Sequence, residues 1–287
     1  MSNAAIKLVT TITDLRAHVA ALRDQGRRIG LVPTMGALHE GHLSLVRAAR
    51  SECDCTVVSI FVNPSQFGPN EDFAKYPRTL DADTALLAGC GADIVFAPSS
   101  EEVYRPEHAT WVEPGPVAGP LEGECRPGHF RGVATIVLKL FHLVQPDVAF
   151  FGQKDYQQSV VIRRMVSDLN VPVRVQVCPT IREPDGLALS SRNRYLGPDE
   201  RRQALVLSKS LELAARLVAE GQRHSATILA KMRELIATAP DARIDYAALV
   251  DPETLQPVEA VAGVTMAVLA VQIGATRLID NYLLATD

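Results

Sequence analysis

Short apolar runs rich in β-branched residues recur through the first 180 residues, each followed by a polar turn and then a helical pattern. "IGLVP" (Ile29–Pro33), "TVVSIFV" (Thr56–Val62), "DIVFAP" (Asp93–Pro98), "VAFFG" (Val148–Gly152) and "VRVQV" (Val173–Val177) read as five buried strands. "LSLVRAAR" (Leu43–Arg50) and "KDYQQSVVIRRMVSDLN" (Lys154–Asn170) read as helices between them. Strand, turn and helix in repetition predict a doubly wound parallel sheet with helices on both faces.

Beyond about residue 180 the rhythm changes. "GPDERRQALVLSKSLELAARLVAEG" (Gly197–Gly221) predicts one long helix, opened by Pro198 and closed by Gly221. A second helix covers Ala226–Thr238, and "RIDYAALV", "VTMAVLAVQI" and "TRLIDNYLL" follow as strands. The expected architecture is a Rossmann-like α/β domain over residues 1–180 with a smaller C-terminal α+β domain over 181–287.

Composition adds exclusions. A net charge of −4 and a pI near 6.0 give no global field that draws the chain to nucleic acid or to a membrane surface. The longest apolar run, Ala260–Val271, falls short of the roughly 18 residues of a membrane span and reads as buried strand. No charged-apolar-small leader opens the chain, so a soluble cytoplasmic protein is expected. Five cysteines, with no C-x-x-C pair, read as small buried hydrophobes in a reducing compartment, Cys53 and Cys55 sharing one strand face.

In a parallel sheet, ligands bind at the carboxyl ends of the strands. The unusual polar segments fall there: "PTMGALHEGH" (Pro33–His42), "NPSQFGPNEDFAKYPR" (Asn63–Arg78), "GQKDYQQ" (Gly152–Gln158) and "PTIREPDGLALSSRN" (Pro179–Asn193). Gly36 and Gly41 have the spacing of a phosphate-binding loop, but His42 and Leu43 stand where Lys and Ser or Thr are expected. His39 and His42, three apart at a helix start, can face one side of a turn whose free N–H groups attract phosphate. A zinc site is disfavoured, since that chemistry needs i,i+4 histidines and a third ligand. Lys154 at a helix N-terminus opposes the macrodipole and makes sense beside an anion. Gln158 lies one turn along on the same face, whereas Tyr156 and Gln157 point elsewhere and pack.

H-x-G-H after a strand resembles the ATP signature of the nucleotidyl-transferase superfamily, and "LSSRN" (Leu189–Asn193) occupies the place of that superfamily's mobile loop. Taken with "FVNPSQFGPNEDFAKYPRT", "FGQKDYQQ" and "LSSRNRYL", the turn closely resembles the pantothenate synthetase (pantoate–β-alanine ligase) family, most densely over Leu31–Leu196. The resemblance implies an ATP-dependent ligase that makes pantoyl adenylate and pyrophosphate, then joins the pantoyl group to β-alanine with release of AMP. It implies that Met35, Gly36, Ala37, Leu38, His39, Glu40, Gly41 and His42 cradle ATP, His42 as proton donor and His39 as phosphate partner. Gly152, Gln153, Lys154 and Asp155, Leu189, Ser190, Ser191 and Arg192, and a backbone contact from Ile181 to adenine complete the ATP segments. Gln66 and Gln158 match the glutamines that hold pantoate, with Gln66 near β-alanine. Lys154, Arg192, His42 and a magnesium ion are the expected cations. Asp81 and Asp83 are candidate magnesium ligands or helix caps. Gln153 and Leu189 depart from the family's usual Glu and Met. A homodimer is implied by the family alone. Two rivals stay open: another nucleotidyl transferase with a stable nucleotidyl product, and a non-catalytic ATP-sensing module.

Overall fold

The computed structural model describes residues 6–69 and 71–286. Strand β1 (Lys7–Val9) leads into helix α1 (Ile12–Asp24), whose N-terminus is capped by the Thr11 side chain. Then come β2 (Ile29–Thr34), α2 (Glu40–Glu52), β3 (Cys55–Ile60), α3 (Leu80–Cys90) and β4 (Ile94–Phe96). Two single-turn helices, α4 (Ser100–Val103) and α5 (Glu122–Cys125), precede α6 (His129–Val144), β5 (Val148–Gly152), α7 (Tyr156–Asp168) and β6 (Arg174–Cys178).

These six strands form one parallel sheet in the order β1-β4-β3-β2-β5-β6. From β2 the chain steps outward to β3 and β4, then reverses to β5 and β6 on the other side. The reversal opens a crevice at the carboxyl ends of β2 and β5, where a doubly wound sheet binds its ligands. All five expected strands are present. The sixth, β1, is only three residues long and gives too little pattern to read, and α1 was missed with it. Helix α6 was also unread. Twelve of its 16 residues are buried, and its outward polar stripe is narrow, made by Arg131, Lys139 and His142.

The C-terminal part holds α8 (Pro198–Gln203), α9 (Leu205–Ala219), α10 (Ser225–Ile236) and three antiparallel strands. These are β7 (Ala242–Val250), β8 (Val264–Ile273) and β9 (Thr276–Ala285), in that order across the sheet. The expected single helix over 197–221 is broken at Ala204, where the Leu207 N–H bonds the Ala204 carbonyl in a tighter i→i+3 turn. One face of this sheet, with Leu249, Leu269 and Val271, packs on Leu211, Ile228 and Met232 of the helices. The other, with Val250, Met266 and Val268, joins the core beneath the parallel sheet. Burial on both faces explains the continuous apolar run of β8. Each fully buried Leu or Ile contributes roughly 1.5–3 kcal/mol over an exposed one.

Among the described residues no helix is long and apolar enough to cross a membrane. The cysteines are free. Cys53 follows α2 rather than sharing a strand with Cys55, and Cys125, expected to be buried, is exposed on α5.

Candidate active site

Four segments meet at the sheet's switch point. The first leaves β2 through Gly36 (φ +80°) and Ala37 (φ 51°), two successive left-handed residues that reverse the chain. Left-handed backbone at a residue with a side chain needs support, and Asp83 of α3 supplies it. Its carboxylate accepts from the Ala37 N–H (2.9 Å), the Leu38 N–H (2.8 Å) and the Thr79 hydroxyl (3.1 Å). Asp83 is 2% exposed. It is therefore a structural anchor rather than a magnesium ligand, and its companion candidate Asp81 is exposed on the same helix.

Helix α2 starts at His39. The His39 Nδ1 accepts from the Gly41 N–H (3.2 Å), and the His42 Nδ1 accepts more weakly from the His39 N–H (3.4 Å). Each bond uses Nδ1 as an acceptor, which leaves Nε2–H as the donor of a neutral ring. The rings lie 4.1 Å apart. Burial, then the positive Lys154 nearby, pushes His39 down to about 4, and burial, the facing His39 and Lys154 push His42 down to about 3. His42 is thus a neutral hydrogen-bond donor at pH 7, not the cation expected from the sequence.

The depressed imidazoles couple stability to pH. An unfolded histidine titrates near 6.5. With the folded values lower, the native state binds fewer protons than the unfolded one over the interval between. The stabilisation is present above about pH 6.5 and is lost as pH falls towards the folded values. Denaturant unfolding from pH 7.5 to 4 should therefore show a shallower loss of stability in His42→Asn than in the wild type. Identical slopes would contradict the neutral, buried ring.

The second segment follows β3. Asn63 opens a short 3-10 turn, Pro64–Gln66, and its Nδ2 donates to Gln66 Oε1 (3.0 Å) and to the Gly132 carbonyl (3.2 Å). Gln66 Nε2 faces the Met35 sulfur at 3.2 Å. The turn presses on α6 at Gly132, where an added Cβ would lie 2.3 Å from the Ser65 carbonyl oxygen. Only glycine permits that approach.

The third segment is the turn Gln153–Asp155 between β5 and α7. Lys154 Nζ lies 3.7 Å from Asp155 Oδ1, and Gln158 joins the same cleft one helical turn on. Gln157 points away, donating to the carbonyls of Val117 (3.0 Å) and Pro120 (2.8 Å), and the Tyr156 hydroxyl donates to the Pro252 carbonyl (2.8 Å).

The fourth follows β6. Ser191 Oγ donates to the Ala37 carbonyl (3.0 Å), docking this loop on the first turn. Arg192 meets Asp72 through two bonds, Nη2–Oδ1 at 2.8 Å and Nε–Oδ2 at 3.1 Å. This expected cation is therefore already paired, and Lys154 is the principal cation facing the cleft.

Of the expected residues, Met35, His39, His42, Gln66, Lys154, Asp155, Gln158, Leu189, Ser190, Ser191 and Arg192 line one cleft. Gly36, Ala37, Leu38, Glu40, Gly41, Gly152, Gln153 and Ile181 are not among its lining residues. Gly36 to Leu38 shape the turn from behind, Glu40 pairs with Arg47 outside, and the Ile181 carbonyl accepts from the Leu189 N–H (2.9 Å). Sequence reasoning missed Asn63, Tyr76 and an apolar wall of Val133, Ile136, Val137 and Leu140 from α6. Asn63 stood inside a singled-out segment, and its place beside a 3-10 turn start was the available signal.

A model of the family described as pantoate-beta-alanine ligase matches residues 7–283. The chain belongs to that family. Among pantoate-beta-alanine ligases and pantothenate synthetases, the Moorella thermoacetica pantothenate synthetase is 56% identical over 282 residues, 98% of this chain and 100% of its own. A Thermus thermophilus pantothenate synthetase crystal structure superposes with a TM-score of 0.92 at 47% identity, covering 96% of this chain and 99% of that one. A Francisella tularensis pantoate-beta-alanine ligase, solved in complex with beta-gamma ATP and beta-alanine, gives 0.81 at 36% identity, over 97% and 98%. Pantoate-beta-alanine ligase membership thus extends across both sheets of the fold.

Proposed function

We propose that this cleft activates (R)-pantoate as its adenylate and passes the pantoyl group to β-alanine, giving pantothenate, AMP and pyrophosphate. The observation that carries the reading is the meeting of two imidazoles, one ammonium and two carboxamides, from loops far apart in sequence, in a single cleft. A carboxylate is a poor acyl donor until its oxygen becomes part of a good leaving group. Attack of that oxygen on the α-phosphorus of ATP expels pyrophosphate. Attack of the β-alanine amine on the acyl carbon then expels AMP.

The chain's own residues divide this work by charge. Lys154 supplies the cation where a carboxylate approaches a triphosphate, and the Nε2–H groups of His39 and His42 add neutral donors. Neutral amides at Gln66 and Gln158 can hold the pantoate carboxylate and hydroxyls without quenching the nucleophile. The apolar wall of α6 suits the two methyl groups at the branched carbon of pantoate. Gly36 to Leu38 act by shaping the phosphate turn.

Magnesium fits as an ion carried on the triphosphate. Asp155 is the one carboxylate among the cleft-lining residues, and no cluster of three metal-ligating side chains occurs among the described residues. A hydrated ion bound mainly by phosphate oxygens suits that donor set. When bound it would offset triphosphate charge. Family likeness supports a homodimer in the cytoplasm, and we read residues 181–287 as a lid domain with the loop Arg182–Asn193 as hinge and lid.

The reading is tested by pyrophosphate release over a panel of carboxylic acids, followed by AMP release on adding amines. Pantoate should be required for the first and β-alanine for the second. A stable nucleotidyl product, or ATP binding with no pyrophosphate release from any acid, would favour the rival readings. Gln158→Ala should raise the pantoate KM roughly ten- to a hundredfold, the value of a hydrogen bond to a charged group, with little change for ATP. Equal weakening of both in a folded variant would remove Gln158 from the pantoate site.

A further inference from the structure

Asp280 and Asn281 are consecutive on the edge strand β9, and both are buried at 3% exposure. Neighbouring residues on a strand point to opposite faces, so two buried polar side chains here need partners on both sides of the sheet. Asp280 accepts two bonds from Arg182, at 2.7 and 2.9 Å, and Arg182 also donates to the Gly186 carbonyl at 3.0 Å. Arg182 lies at the root of the loop that carries Ser190–Arg192. Asn281 reaches the other way. Its Nδ2 donates to the backbone carbonyls of Gln153 and Lys154, both at 2.9 Å, and its Oδ1 accepts from Gln153 Nε2 at 3.3 Å.

The turn Gln153–Asp155 therefore takes its anchor from a residue more than 120 positions later in the chain. The Lys154 side chain is held only loosely in the cleft, with one ion contact at 3.7 Å. A lysine on a flexible four-carbon stem delivers its charge accurately only if its backbone is fixed. A misplacement of about 1 Å can cost on the order of 10²-fold in rate. Strand β9 also packs against the Ser191–Tyr195 turn, so one strand touches both phosphate-facing segments.

We propose that Asn281 is a positioning residue for adenylate formation, holding the Lys154 turn at the cleft without touching substrate. Asp280, through Arg182, fixes the root of the Ser190–Arg192 loop from the same strand. The inference rests on the role given to Lys154 above.

The test is a double-mutant cycle on the full-length enzyme, read by rapid-quench pyrophosphate release with pantoate and ATP. Asn281→Ala should slow adenylate formation roughly ten- to a hundredfold, with the KM for pantoate and for ATP moving less than about threefold. Placed on Lys154→Ala, the same change should slow the enzyme no further, because the group it positions is gone. Asn281→Ser keeps a hydroxyl donor for one carbonyl, should lose less, and carries the test if the alanine variant does not fold. An unchanged rate overturns the proposal. So does an equal factor in both backgrounds, or a loss expressed only in KM, since those mark a general structural role. A Lys154→Ala enzyme of normal rate would overturn the assignment of Lys154, and this inference with it.

Discussion

Lys154→Ala should lower the rate of pantoyl adenylate formation by about 10²–10³, equivalent to roughly 3–4 kcal/mol of transition-state stabilisation. The size follows from electrostatics. The chain carries a net charge of −4, and the reaction brings a carboxylate against a triphosphate. Of the three side chains expected to supply positive charge, Arg192 is paired with Asp72 and His42 is held neutral. Lys154, at 20% side-chain exposure, is left with that task. Pantoate binding should persist, because the glutamines and the α6 wall remain. Lys154→Arg should recover only part of the rate, since a planar guanidinium cannot reproduce a compact ammonium at the same point. Rapid-quench pyrophosphate release gives the rate, and pantoate calorimetry gives the binding. Pyrophosphate release at a near-normal rate would remove Lys154 from the chemistry.

The second large effect is expected at Asp83. Its carboxylate accepts from Ala37, Leu38 and Thr79 in a site that water does not reach. Asp83→Ala leaves two buried N–H groups without partners, at about 1–3 kcal/mol each. A loss of around 3 kcal/mol corresponds to a fall in Tm of roughly 6–12 °C for a chain of this size. The ATP KM should rise as well, because the left-handed turn at Gly36 and Ala37 loses its brace ahead of the two histidines. The magnesium concentration for half-maximal rate should stay unchanged. The opposite pattern, a normal Tm with a many-fold greater magnesium requirement, would make Asp83 a metal ligand and contradict the anchoring role.

Asp83 also shows where sequence reading stops. "TLDADT" marks a helix start, and an acidic residue there reads as a cap or a metal ligand. Two of its three partners lie 46 and 45 residues upstream, brought near only by the packing of α3 beside α2, and only Thr79 is local. Arg192 is the same case, since its partner Asp72 is 120 residues away. The parallel strands were legible because burial on both faces leaves short β-branched runs bounded by turns. The four loops were legible because chain order puts them at the carboxyl ends of those strands. Helix α6 was not, since only a narrow polar stripe interrupts its apolar run, and the apolar wall of the cleft was lost with it. The protonation of His42 depends first on enclosure, then on the facing His39 and on Lys154, and of these only His39 is local in sequence.

An acyl adenylate formed in this cleft is the central claim, and isotope transfer tests it most directly. With both carboxylate oxygens of pantoate labelled with ¹⁸O, turnover in the presence of ATP and β-alanine should place one label in each AMP and leave one in pantothenate. Unlabelled AMP, with the departing label found instead in water or in another phosphate product, would contradict it.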